Sequence, residues 1–176
     1  MARDNEDFTM IFNDIYPGLC RFLECLLGGR TSGASAQDIA QESFLRFYRQ
    51  DERSIPAAEA RFWLYRVARN LALNELGRRR TRQRLWGKVL EIFHARQGGP
   101  MEELEQTERR EILSDLLKAL PEQHRAALLL RELEEMSYRE IARVLEISES
   151  KVKVDIYRAR TALRARWREL ERTASV

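Results

Sequence analysis

Residues 137–160 read Ser137-Tyr-Arg-Glu-Ile-Ala-Arg-Val-Leu-Glu-Ile-Ser148-Glu-Ser-Lys-Val-Lys-Val-Asp-Ile-Tyr-Arg-Ala-Arg160, and two helical stripes share this stretch. Ile141, Ala142 and Leu145 recur at the spacing of one short helix, and Val152, Ile156, Ala159 and Leu163 at that of a second. Ile147 falls in the turn between them, and Ser148 stands where its side-chain oxygen can cap the second helix. The small side chain of Ala142 suits a close helix crossing. The spacing predicts a helix-turn-helix, whose second helix presents its N-terminal outward residues to a DNA major groove. Those residues are Ser150, Lys151, Lys153, Val154, Tyr157 and Arg158. Lys and Arg reach guanine or phosphate, and Val154 or Tyr157 offers apolar contact to a thymine methyl. Arg160, Arg164, Arg166 and Arg168 continue the helix as phosphate-tracking or solvated side chains.

Upstream of this motif the three- and four-residue period persists. Ile112, Leu113, Leu116, Leu117 and Leu120 form one stripe, Pro121 suits the first turn of another helix, and Ala126 to Leu130 with Leu133 fill it. Before them, Gln97-Gly98-Gly99-Pro100 is the strongest helix stop in the chain. The charge there changes from basic over Arg78 to Arg96 to acidic at Glu102, Glu103, Glu105 and Glu108. These features place a linker over 85–110, between an N-terminal helical domain (1–84) and a C-terminal helix-turn-helix domain (111–176). The apolar run Leu85, Trp86, Val89, Leu90, Ile92, Phe93 is unusual for a bare tether, and a short helix docked between the domains or on a partner is expected there.

The N-terminal domain reads as three helices. The first, about Phe8 to Leu27, ends at Gly28 and Gly29; the second follows Thr31 to Ala36 and carries Ala40, Phe44 and Tyr48 on one stripe. Ile55-Pro56 closes the next loop, because the residue before proline avoids helical angles. The third, about Ala58 to Arg80, puts Leu64, Val67, Ala68, Leu71 and Ala72 on a buried face. Arg66, Asn70, Leu73, Asn74 and Gly77 lie opposite, flanked by Arg69 and followed by Arg78, Arg79, Arg80, Arg82 and Arg84. Amides and guanidinium groups on one face bond base edges and phosphates, with a merely solvated face as the alternative. With no sustained period-two alternation, the fold class is all-α.

Composition agrees. The 176 residues carry Lys+Arg 31 and Asp+Glu 28, and charged residues make up 34%, against about 25% in an ordinary domain. The net charge of +3 conceals nets of −4 over 1–60, +7 over 61–84, −4 over 85–136 and +4 over 137–176. Two local basic islands suit a polyanion better than a uniform charge does. No stretch is apolar enough to span a membrane, and the charged start at Arg3, Asp4, Glu6 and Asp7 is unlike a secretion signal, so a cytoplasmic protein is expected. Cys20 and Cys25 do not form a paired clip, and His94 and His124 are remote from them, so neither a disulfide scaffold, a metal site nor a cofactor is expected. No phosphate-cradling glycine loop or nucleophile-base motif supports catalysis.

Three blocks occur together: Asp38-Ile-Ala-Gln-Glu-Ser-Phe-Leu-Arg46, Phe62-Trp-Leu-Tyr-Arg-Val-Ala-Arg-Asn-Leu-Ala-Leu-Asn-Glu-Leu76, and Leu120-Pro-Glu-Gln-His-Arg-Ala-Ala-Leu-Leu-Leu130 ahead of the helix-turn-helix. In content, order and length the chain resembles the extracytoplasmic-function (ECF) sigma factors of bacterial RNA polymerase. The resemblance implies a promoter-specificity subunit that catalyses nothing itself. It implies docking on core polymerase through Asp38, Gln41, Glu42, Phe44 and Leu45, with core packing of Phe44 as the alternative. It implies melting and holding of the −10 element, for which Arg61, Arg66, Arg69, Asn70 and Asn74 are the candidates, while Trp63 beside Leu64 and Val67 is expected in the core, with stacking on a base as the alternative. The −35 element falls to Lys153, Val154, Tyr157 and Arg158, with Ser150 and Lys151 nearer the backbone. An anti-sigma protein is a further expected partner. Glu146 stands where the family usually has Gly, Asp155 where a basic residue is common, and Gly77 where Arg is frequent. Asp155 is expected near phosphates or paired with Arg158 or Arg160. A free-standing helix-turn-helix regulator is the alternative, but it leaves the first domain without a task; a helical adaptor that no longer binds DNA is a third reading.

Overall fold

The computed structural model describes residues 5–28, 34–50, 55–86 and 112–174. Among them are seven helices and no strand. Helices α1 (Asn5–Leu27), α2 (Ala36–Tyr48) and α3 (Ala57–Trp86) pack on one another. A short helix α4 (112–118) precedes α5 (Glu122–Glu132), α6 (Tyr138–Leu145) and α7 (Glu149–Ala174), of which α5 and α6 both pack on α7. The apolar run expected to dock from the linker lies, beyond Trp86, outside the described residues.

The ends of these helices follow from local chemistry. Helix α1 stops at Gly28, whose φ of +75° carries no Cβ penalty and whose bare Cα lets the Lys118 side chain approach. Helix α2 opens with a reciprocal cap: the Asp38 N–H donates to Ser35 Oγ at 3.1 Å, and the Ser35 N–H donates to Asp38 Oδ2 at 2.8 Å. The Ser35 hydroxyl, at 2.7 Å, and then the Ser35 N–H donate to the Asp38 carboxylate and draw its pKa down. Ser137 and Glu140 repeat the device at α6, with distances of 3.3 and 2.7 Å. Helix α3 runs six residues beyond the expected Arg80, because the Arg-rich segment that follows has good helix propensity.

In the first domain Leu19, Phe22, Leu23 and Leu26 of α1 meet Phe47 of α2 and Leu64, Tyr65 and Ala68 of α3, all essentially without solvent contact. Phe44 is buried too, edge-on to Phe8 and Phe12 with ring centroids 6.1 and 4.9 Å away, and Trp63 lies against Phe47 at 5.7 Å. In the second domain Ala126 and Leu130, Ile141, Val144 and Leu145, and Val152, Ile156 and Ala159 close a smaller core. The two domains are in contact, α1 with α5 and α3 with α6. Arg125 of α5 donates to the carbonyl of Leu26 at 2.7 Å and to those of Lys118 and Leu120 at 3.1 Å each. Ser114 adds a hydrogen bond to the Gly28 carbonyl at 3.0 Å.

Cys20 and Cys25 are free thiols, both pushed up in pKa chiefly by burial. Among the described residues no His, Cys, Asp or Glu cluster could hold a metal, and no helix is long and apolar enough to cross a membrane.

The position of Phe44 separates packing from surface contact. Phe44→Ala is expected to lower unfolding free energy by about 3–5 kcal/mol, whereas Leu45→Ala, at a side chain 51% exposed, should change it by no more than about 0.5 kcal/mol. Urea denaturation of the full chain checks both values.

Candidate nucleic-acid interface

Helix α7 begins where sequence places it. The Lys151 N–H donates to Ser148 Oγ at 3.2 Å, so the hydroxyl caps the first turn. The turn before it requires Glu146 to adopt left-handed angles, φ 56° and ψ 44°, as the α6 C-cap. A side chain there costs about 1–2 kcal/mol relative to ordinary helical angles, which is why glycine is the usual occupant. With α6 and α5 behind it, α7 buries Val152, Ile156 and Ala159 and leaves Ser150, Lys151, Lys153, Val154, Tyr157 and Arg158 exposed. Those six form one outward surface. Lys153 also approaches the Tyr138 ring, with Nζ 5.8 Å from its centroid, a cation–π contact that orients the side chain.

Asp155 departs from expectation. It points into the domain, fully buried, where Oδ1 accepts from Lys151 Nζ and lies 3.4 Å from His124 Nε2. It therefore faces neither phosphates nor Arg158 or Arg160, and Arg160 instead pairs with Glu132 at 2.6 Å. Lys151 thus has a structural partner as well as an exposed position. A buried carboxylate is tolerable only with such neighbours, since removing them strands its charge.

On α3 the expected −10 residues divide into two groups. Asn70 and Asn74 are exposed. Arg61, Arg66 and Arg69 are turned toward the second domain. Arg61 donates to the Glu134 carbonyl at 2.9 Å and its carboxylate at 3.3 Å, Arg66 pairs with Glu146 at 3.3 Å, and Arg69 donates to Gln123 at 2.7 Å. Farther along the same boundary, Arg80 pairs with Glu122, and Arg143 of α6 pairs with Glu59 while its guanidinium lies 4.4 Å from the Phe62 ring centroid. Arg79 leaves the basic surface altogether. It is buried, donates to Glu75 at 3.0 Å and ties the Ala34 carbonyl at 2.9 Å.

On α2, Asp38, Gln41 and Leu45 are exposed, Glu42 is partly exposed and pairs with Arg46 at 2.8 Å, and Phe44 faces inward.

Residues 12–82 match Sigma-70 region 2, and residues 110–163 match Sigma-70, region 4. A 131-residue stretch, 70% of this chain and 69% of the relative, is 35% identical to the ECF RNA polymerase sigma-E factor of Haemophilus influenzae. The chain belongs to the ECF RNA polymerase sigma factors. The ECF sigma factor SigM of Bacillus subtilis is 29% identical over 161 residues, 92% of this chain and 93% of that one. The sigma-H factor of Pseudomonas aeruginosa is 34% identical over 138 residues, 73% and 70% of the two chains. The fold is similar to that of the Bartonella quintana sigma factor RpoE, solved with the anti-sigma factor NepR, at TM-score 0.65, 20% identity and coverage of 91% of this chain and 96% of the other. It is likewise similar to CnrH, solved with the cytosolic domain of CnrY, at TM-score 0.67, 18% identity and coverage of 94% and 90%.

In this sigma factor the residues that sequence reading missed are mainly the acidic partners of α3: Glu122, Glu134 and Glu146. They sit at a helix start and in two turns, where no periodicity marks a partner. The one trace in sequence of Glu122 and Glu134 is the acidic excess over 85–136, a segment that does not include Glu146.

The Asp155 environment gives a sign test. Lys151→Met should destabilise the protein by about 3 kcal/mol by leaving the buried carboxylate short of a cation, and combining it with Asp155→Leu should restore most of that loss. Urea midpoints of the two variants and the wild type check it.

Proposed function

We propose that this ECF sigma factor reads the −35 element through Lys153, Val154, Tyr157 and Arg158, with Ser150 and Lys151 at the DNA backbone. The observation that carries this reading is the exposure of two bulky apolar side chains, Val154 at 42% and Tyr157 at 70%, among cations on the first turns of α7. Solvated cations alone would serve nonspecific phosphate attraction. Apolar groups among them suit contact with base edges and thymine methyls.

The −10 element falls to Arg61, Arg66, Arg69, Asn70 and Asn74, whose guanidinium and amide groups bond phosphates and unstacked bases. Core polymerase docks on α2 through Asp38, Gln41, Glu42 and Leu45, with Phe44 shaping that surface from beneath. The working units are residues 1–84, the tether 85–110 and residues 111–176. The protein acts in the cytoplasm, carries out no catalysis of its own and needs no cofactor. An anti-sigma protein is a partner in this proposal, which the complex of the structurally similar sigma factor RpoE of Bartonella quintana with the anti-sigma factor NepR supports.

The test is transcription by core polymerase from a library of promoter fragments, with and without the protein. New start sites that share a two-part motif are expected, and failure to bind core would overturn the proposal. Tyr157→Ala and Arg158→Ala should each lower transcription from the selected promoters by about 5- to 150-fold, corresponding to about 1–3 kcal/mol per base contact. Asn70→Ala with Asn74→Ala should leave −35 duplex binding intact and reduce permanganate reactivity of the melted −10 bases.

A further inference from the structure

Helix α7 carries a buried charge directly beneath its outward surface. Asp155 follows Val152 on the inward stripe and has no solvent exposure, whereas the Lys151 side chain, one turn earlier, is 46% exposed and still turns its ammonium inward to Asp155 Oδ1. Lysine placed before its acid is the weaker order for such a pair on a helix. A second candidate for the same oxygen stands on α5: His124 Nε2 lies 3.4 Å away, beyond the ordinary hydrogen-bond length, with its side chain 18% exposed. The other carboxylate oxygen, Oδ2, is buried and has no hydrogen-bond partner. The carboxylate thus has a cation in place, an imidazole that can take a proton beside it, and an acceptor oxygen unused.

The charges around His124 come from few places. On α7 they are Asp155 and Lys151. On α5 itself Glu122 pairs with Arg80 of α3, and Arg125 is bound to backbone carbonyls. Arg69 of α3 donates to Gln123. Among the described residues no charged side chain of α1 or α6 forms an ion pair with His124 or Asp155. His124 also sits in the first turn of α5, at the positive end of that helix. That pole and the Lys151 ammonium oppose a proton on the imidazole, and the Asp155 carboxylate favours one. The balance turns on Lys151. While the ammonium is in place Asp155 is already neutralised; once it leaves, a buried carboxylate stands alone, and a protonated His124 replaces the lost cation.

We propose that Asp155 is a positioning residue for DNA binding: it holds Lys151 off the DNA backbone until His124 takes a proton from solvent and replaces the lysine on the carboxylate. Lys151 then turns outward to a phosphate. This exchange rests on the proposed role of Lys151 as a backbone contact. Duplex binding is thereby linked to proton uptake, so affinity is highest at low pH and falls as pH rises through the range in which an imidazole titrates, about pH 5 to 8.

The test uses the full chain and a rhodamine-labelled duplex of mixed sequence, about 20 base pairs long, followed by fluorescence anisotropy from about pH 5.5 to about pH 8 over a salt series. Phosphate contacts are independent of sequence, so a mixed duplex reports them. Wild-type affinity is expected to be at least about fivefold higher at the low end of that range, a change that one linked proton can supply. The slope of log affinity against log salt should be steeper there by about 0.9, the mark of one added phosphate contact. His124→Gln should flatten both differences, while His94→Gln, at the other histidine of the chain, should retain them. Asp155→Asn leaves Lys151 free at every pH and should show the steeper salt slope already at about pH 8, a readout that a purely structural role for Asp155 would not move. No pH response in the wild type, which needs no variant to fold, or a response that survives His124→Gln, overturns the exchange. An unchanged salt slope in Asp155→Asn, with its helical circular dichroism intact, overturns the hold on Lys151. Absence of duplex binding at every pH overturns the −35 reading and the exchange together, so the two failures are distinguishable.

Discussion

Arg125 sets one guanidinium against three backbone carbonyls, and the mutual placement of the helices depends on it. Leu26 lies at the end of α1, Lys118 at the end of α4, and Leu120 just before α5. Carbonyls at a helix C-terminus lack intrahelical partners and form its negative pole, so a buried cation can satisfy what another helix turn would have. Burial lowers the Arg125 pKa, yet arginine remains charged at any working pH. Each element meeting there needs the same side chain. Without it, three carbonyls would lose a donor in a region that excludes water.

Around that point the molecule divides into two kinds of contact. Within each domain, leucine, phenylalanine, isoleucine and alanine side chains interlock with almost no exposure. Across the boundary the apolar core continues from α1 to α5, and beside it arginines meet carboxylate, amide or carbonyl groups. Apolar burial resists salt and is slow to exchange partners, whereas exposed charge pairs are weak singly and screened by salt. The apolar part of the boundary therefore holds in salt, while the arginine pairs beside it are the part that salt weakens.

The helices were legible because their information is local: Leu64, Ala68 and Ala72 announce a buried face within a few turns, and Ser35 and Ser137 announce helix starts. The helix-turn-helix surface was legible for the same reason. Asp155 and Arg79 were misplaced although the signal was present. Asp155 is three residues beyond Val152 and four before Ala159, on the buried stripe, and Arg79 follows Ala72 and Glu75 at the same spacing. Charge led to both being placed outside, but a paired charge can follow its helix face inward. Glu134 was not legible, since its partner Arg61 is 73 residues away and it occupies a turn without a repeating pattern. Glu146 was legible only as an irregular turn. Its pairing with Arg66 arises from the packing of whole domains.

Carrying both halves on one chain alters how strong their boundary must be. Tethered units meet at an effective concentration on the order of millimolar. An interface whose intrinsic dissociation constant is about 1 mM, only about 4 kcal/mol of association free energy, is then substantially occupied. The same surfaces on separate molecules at micromolar concentration would remain almost entirely apart. A seam of modest strength is thus sufficient within one chain and too weak to draw two chains together, so intramolecular pairing need not bring self-association.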